Sequence, residues 1–152
     1  MEIVMMRADE RLVHGQILTE WCLFLKASHL LIVDDELAEN VFMSNLYRTM
    51  IPIYLTTIIS KIHDVSECLK MYEGSKARIF LLTKTPETFV ELLKDGVKIK
   101  EITLADRMYF PNKVMVPREC KIAINKLLEA DISVVAQVLP EDEKIKLEKY
   151  DL

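Results

Sequence analysis

Short apolar runs alternate along the whole chain with stretches in which apolar residues recur every three or four positions. Residues 1–6 (MEIVMM) read as a strand, and the polar residues 7–11 after them as a loop. From Gln16 the period lengthens. Ile17, Trp21 and Leu25 fall at i, i+4 and i+8, and Leu18, Cys22 and Phe24 widen the stripe, which predicts a helix burying one face on a sheet. The unit then repeats. Residues 30–33 form a wholly apolar strand ended by Asp34 and Asp35, and Ala38, Val41, Phe42, Leu46 and Met50 mark one helix that Pro52 stops. A third strand is expected at 53–57. Ser60 is the expected N-cap of a helix carrying Ile62, Val65, Leu69 and Tyr72, with Gly74 as its stop. Residues 77–82 give a fourth strand, and Thr85-Pro86 places a cap and a first-turn proline before a helix that Gly96 closes. Further strands are expected at 99–104, 114–116 and 132–138, with a helix at 117–128; the charged tail from Pro140 is expected to fray or form a short helix.

Strands alternating with helices in this way predict an α/β fold, an open, mostly parallel, doubly wound sheet of about six or seven strands with helices on both faces. No repeat, low-complexity segment or linker interrupts the pattern, so residues 1–152 are expected to form a single domain. Such sheets bind ligands at the carboxyl ends of their strands, near the point where strand order reverses. The loops to watch are therefore residues 7–15, 34–36, 83–85 and 105–113.

Composition narrows the chemistry. The chain is 51% apolar and 29% charged, enough for a packed core. Its three glycines, Gly15, Gly74 and Gly96, cannot assemble a dinucleotide fingerprint or a P-loop. A formal charge of −4 with no basic stripe argues against nucleic acid as a partner. Cys22, Cys68 and Cys120 lie too far apart in sequence to signal a zinc site or a disulfide framework, so no metal and no cofactor are expected. The start of the chain has no basic segment followed by a long apolar one, and no apolar run approaches membrane-spanning length, which makes a cytoplasmic location the expectation.

Chemistry concentrates in the loop Arg7-Ala8-Asp9-Glu10-Arg11-Leu12-Val13-His14-Gly15-Gln16. Two guanidinium groups, two carboxylates and an imidazole fall just before a helix N-terminus, where unsatisfied N–H groups and the helix dipole favour an anion. Arginine presents a planar fork that matches phosphoryl oxygens. Histidine is a nucleophile when one ring nitrogen is unprotonated, and a carboxylate holding the other nitrogen's proton fixes that tautomer. Asp9 is a candidate for this role or for orienting an arginine. The candidate set is His14 as carrier of the phosphoryl group, with Arg7, Asp9, Arg11, Gly15 and Gln16 around the phosphate.

Other features read as ordinary structure. The acidic run Asp34-Asp35-Glu36 after an apolar strand looks like the acid pair of a Mg²⁺-dependent receiver, but residues 77–83 hold no carboxylate to serve as phosphoacceptor. His29 and His63 lack companions at ligand spacing. Tyr109 and Phe110, near Arg107 and Lys113, are a candidate docking patch.

The run from Arg7 to Ile17 resembles the R-[IV]-D-[DE]-R-[LF]-[IV]-H-G-Q-[VI] signature of enzyme IIB of the mannose/fructose/sorbose family of the bacterial phosphotransferase system. Ile32-Val33-Asp34-Asp35 and the region 81–102, with Pro86, Gly96, Val97 and Ile99, are similar to further segments of that family. Ala8 stands where the signature has a larger aliphatic residue, and Asp34 and Asp106 add carboxylates that the family commonly lacks. The resemblance implies a mostly parallel α/β phosphocarrier in the cytoplasm, peripherally associated with a membrane permease. It implies His14 as phosphoacceptor from enzyme IIA and as donor to a sugar bound by the membrane components IIC and IID. Arg7 and Arg11 match the phosphate-stabilising arginines and Asp9 the motif carboxylate. A regulatory module that is phosphorylated at His14 without passing the group to sugar is the alternative, and a homo-oligomer is expected of either.

Overall fold

A computed structural model describes residues 1–105 and 116–152 of the chain. In chain order the elements are β1 (Glu2–Ala8), a π-helical turn (Ile17–Trp21) running into α1 (Cys22–Leu25), β2 (His29–Val33), α2 (Asp35–Glu39), α3 (Val41–Met50) and β3 (Thr56–Ser60). A 3₁₀ turn (Ile62–Asp64) leads into α4 (Val65–Lys70), followed by β4 (Arg78–Thr83), α5 (Pro86–Lys94), β5 (Glu101–Leu104), α6 (Arg118–Glu129), β6 (Ser133–Ala136) and β7 (Ile145–Lys146).

The strands form one sheet in the order β3-β2-β4-β1-β5-β6-β7, parallel throughout except for the β6–β7 pair. Right-handed crossovers decide which face each helix covers. The connections that leave β1 and β2 run one way along the sheet, and those from β3, β4 and β5 run the other way. Ile17, Trp21 and Leu37 accordingly pack with Leu30, Ile32, Phe80 and Leu82 on one face. Val65, Phe89 and Ile124 pack with Leu31, Val33, Ile79 and Leu81 on the other. Alternate residues of β2 and β4 thus serve opposite cores, which is why these strands read as unbroken apolar runs.

The doubly wound α/β architecture is as expected, and four local expectations are corrected. The helix expected to carry Ala38 through Met50 is two. Asn40 breaks it, ending α2 in an extended conformation and capping α3 by accepting the Met43 N–H at 3.0 Å, the competition with the backbone typical of asparagine. No residue of α3 is buried, and Val41, Phe42, Leu46 and Met50 face outward. The third strand is displaced from 53–57 to Thr56–Ser60, because Ile51 and Leu55 turn into the core while Ile53 and Tyr54 point to solvent. Ser60 is consequently a buried strand end paired with Val33, and its hydroxyl donates to the Lys61 carbonyl instead of capping a helix. The tail returns as β7, antiparallel to β6, because burying Leu147 holds it in place. The expected strand at 114–116 lies, but for Val116, outside the described residues, as do Asp106 and the patch of Tyr109 and Phe110.

Candidate functional site

β1 lies between β4 and β5, and the chain leaves β1 and β5 in opposite directions, so the strand order reverses at the carboxyl end of β1. The loop that begins there is pinned on both sides. The Asp9 N–H donates to the Thr83 carbonyl at 2.9 Å, and the Ala105 N–H to the Ala8 carbonyl at 2.9 Å. A tight turn follows, closed by the Leu12 N–H on the Asp9 carbonyl at 2.9 Å. Leu12 sits in the left-handed region at φ 53°, a conformation costly for a branched side chain. Its side chain is buried against Val13, Ile17 and Leu37, and that burial holds the turn.

The turn folds the loop onto the Asp9 carboxylate, which is only 4% exposed. Oδ1 accepts from the Arg11 backbone N–H at 3.0 Å and from Arg11 Nε at 3.3 Å. Oδ2 accepts from Arg11 Nη2 at 3.4 Å and faces His14 Nε2 at 2.7 Å. Burial pushes the Asp9 pKa up, but the hydrogen bonds from His14 and Arg11 outweigh it and hold the group at about 2. Asp9 is therefore a carboxylate at neutral pH and can only accept. Nε2 of His14 must carry the proton in their contact, which leaves the lone pair of a neutral ring on Nδ1. The His14 side chain is 18% exposed, at the start of the helix.

The expected arginines occupy different places. Arg11 is on the surface and also reaches Gln16 Oε1 at 3.4 Å. Arg7 is buried beneath the site on the same sheet face as Trp21. Its guanidinium lies 4.3 Å over the Trp21 ring, and its Nη2 donates to the Val138 carbonyl at 2.8 Å. Trp21 Nε1 donates to that same carbonyl at 3.0 Å. Arg7 Nε and Nη1 have no partner among the described residues. Burial lowers the Arg7 pKa to about 10, so it remains a cation. Gly15 is exposed, with open space where a Cβ would stand. Trp21 and the Val138 carbonyl hold Arg7, yet the sequence marks Trp21 only as part of an apolar stripe and Val138 as a strand residue.

The acid pair has structural partners. Asp34 caps α2 by accepting the Leu37 N–H at 2.9 Å, and Asp35 accepts the Ile62 N–H at 2.7 Å. Among the described residues no cluster of three His, Cys, Asp or Glu side chains could hold a metal. His29 bonds Ser28 at 2.7 Å and meets the edge of Tyr72, and His63 pairs with Asp95 at 2.6 Å, which raises its pKa.

A histidine oriented by a buried carboxylate, at the switch point of a doubly wound sheet, is the class of site these residues build. Residues 3–150 match the family model described as PTS system sorbose subfamily IIB component, and the chain belongs to that family of sugar phosphotransferase components. It is 28% identical to the N-acetylgalactosamine-specific phosphotransferase enzyme IIB component 2 of Escherichia coli K12, over 97% of each chain. It is 26% identical to the fructose-specific EIIB component of Bacillus subtilis, over 93% of this chain and 91% of that one. Against the mannose-specific EIIAB component of Escherichia coli K12, also 26% identical, the match covers 97% of this chain but 47% of the longer protein. The fold is shared with the N-acetylgalactosamine-specific IIB component 1 of Escherichia coli (TM-score 0.85, 23% identity, 97% and 100% of the two chains). The IIB domain of the sorbose permease of Klebsiella pneumoniae also shares it (TM-score 0.80, 19% identity, 95% and 93%). Among the described residues no helix is long and apolar enough to cross a membrane.

Proposed function

We propose that residues 1–152 act as the IIB phosphocarrier of a sugar phosphotransferase system, taking a phosphoryl group from the phosphohistidine of a IIA component onto Nδ1 of His14. The group then passes to a hydroxyl of a sugar held by IIC and IID, so the chain works in the cytoplasm against the inner side of a permease. The observation that carries this reading is the 2.7 Å contact of His14 Nε2 with an ionised, buried Asp9 at the mouth of the first crossover.

This reading has two steps. The Nδ1 lone pair attacks phosphorus as the donor's N–P bond breaks, and the departing imidazole keeps the bonding pair. Asp9 holds the Nε2 proton and stabilises the positive ring that forms. In the second step the sugar oxygen attacks, the P–Nδ1 bond breaks, its pair returns to Nδ1 and the hydroxyl proton is released to solvent. Both nitrogen leaving groups are alike, so the first transfer needs in-line positioning and charge stabilisation more than driving force. Arg11 supplies cationic donors at the surface, and Arg7 adds its charge from beneath. Gly15 and Gln16 present the helix N-terminus to the phosphoryl oxygens, and the absence of a Cβ at Gly15 leaves room for the partner's own ring. The activity is thus that of a protein-Nπ-phosphohistidine–sugar phosphotransferase.

Incubation with phosphorylated IIA, following label onto wild type and His14→Ala, tests this. Label should reach wild type alone and pass to sugar once IIC and IID are supplied. Label persisting in His14→Ala would remove the site, and label that never reaches sugar would favour a regulatory role.

A further inference from the structure

Among the described residues at this end of the sheet, carboxylates outnumber free cations. Asp9 touches the ring, Glu10 is exposed on the same loop, and Asp34 and Glu36 line the adjoining cleft. Against these, Arg11 is committed to Asp9 through Nε and Nη2, and Arg7 is covered by Trp21 and tied to Val138. A phosphoryl group in transit brings close to two further negative charges. It needs a cation able to move with it.

Lys84 is placed to be that cation. β4 ends at Thr83, which pairs with Ala8 and accepts the Asp9 N–H at 2.9 Å, and Lys84 is the next residue along that edge. It lines a cleft of about 120 Å³ together with Leu12, two residues before His14, and with residues of α2 and α3. Lys84 is exposed and makes no hydrogen bond or ion pair with any described residue, although Asp34 and Glu36 line the same cleft. Asp34 is turned to the Leu37 N–H.

We propose that Lys84 is a further catalytic residue of the phosphoryl transfer, its ammonium donating to an equatorial phosphoryl oxygen as the group moves onto or off Nδ1 of His14; this rests on the phosphocarrier reading above. Bonds made and broken stay as described, and Lys84 neither gains nor loses a proton. A compact ammonium on a flexible four-carbon stem can follow the phosphorus between donor and acceptor nitrogens, which the clamped Arg11 fork cannot.

The test compares Lys84→Ala, Lys84→Gln and Lys84→Arg in the whole chain. Single-turnover and steady-state transfer from phosphorylated IIA are measured alongside thermal unfolding, with His14→Ala as reference. Ala and Gln should lower kcat roughly 10- to 100-fold, as for a lost charge-assisted hydrogen bond to a transition state. The donor KM and the unfolding midpoint should not move, and Arg should restore most of the rate. Unchanged rates in Ala and Gln, or a change confined to KM that would mark a docking charge, overturn the inference. Label retained by His14→Ala removes His14 as the carrier on which this inference rests, whereas label lost there with Lys84→Ala unaffected sinks only the role of Lys84.

Discussion

Replacing Asp9 by asparagine exchanges one carboxylate oxygen for an NH₂ group, and the hydrogen bonds around it dictate which one. Oδ1 accepts from two Arg11 donors, the backbone N–H at 3.0 Å and Nε at 3.3 Å, so the single amide oxygen stays there. The NH₂ group then takes the place of Oδ2, 2.7 Å from His14 Nε2. Two donors cannot face each other at that distance, so Nε2 must accept and the ring proton moves to Nδ1, the nitrogen proposed as nucleophile. Restoring the productive tautomer means breaking the new bond and leaving buried donors unmet, about 3–5 kcal/mol in all at roughly 1–3 kcal/mol for each group. Transfer from phosphorylated IIA should therefore fall roughly 100- to 5,000-fold. Asp9→Ala removes more contacts but leaves Nε2 free to be protonated, so it should transfer faster than Asp9→Asn. Rapid-quench measurement of labelled protein supplies the rates, and the ¹⁵N shifts of the His14 ring report the tautomer directly. Asp9→Asn matching wild type, or outperforming Asp9→Ala, would refute the tautomer argument.

Other consequences are as direct. Arg11→Lys should slow transfer by about tenfold despite keeping the charge, because an ammonium cannot reproduce the fork that meets both Asp9 oxygens; equal rates in a quench assay would rule out that geometry. Because Asp9 is held at about 2, below its ordinary value of 3.8, its stabilisation is complete above that ordinary value and drains away as pH falls from about 4 toward 2. Urea unfolding across that range should show wild type losing about 1–2 kcal/mol more than Asp9→Asn, and parallel curves would contradict the shift. Burial pushes the Cys22 thiol up to about 12, so iodoacetamide should leave it unmodified in the native chain and alkylate it once urea unfolds it; fast native labelling would show that the helix opens.

The chemistry around His14 was readable because it is local. Asp9, Arg11 and His14 lie within six consecutive residues, so their convergence needs only one turn, and the conflict of polar residues with the flanking apolar strand and helix exposes them. The place of Arg7 was not readable, since it depends on Val138, 131 residues away, and on a π-helical turn that swings Trp21 beneath the guanidinium. The sheet followed from periodicity wherever strands are buried on both sides. Periodicity misled where apolar residues are exposed, as at Ile53 and along α3, because spacing records which residues share a face and not whether another element covers it. Asn40 shows a second limit: an asparagine tolerated inside a helix and one that splits it look alike until the cap bond to Met43 forms.

Phosphohistidine isomers differ in their ¹⁵N and ³¹P shifts, and that difference reaches the central claim most directly. After phosphorylation by IIA, the chain should carry one phosphoryl group, bonded to Nδ1 of His14 with Nε2 still protonated toward Asp9. A phosphoryl group found on Nε2, or on any residue other than His14, would contradict the account.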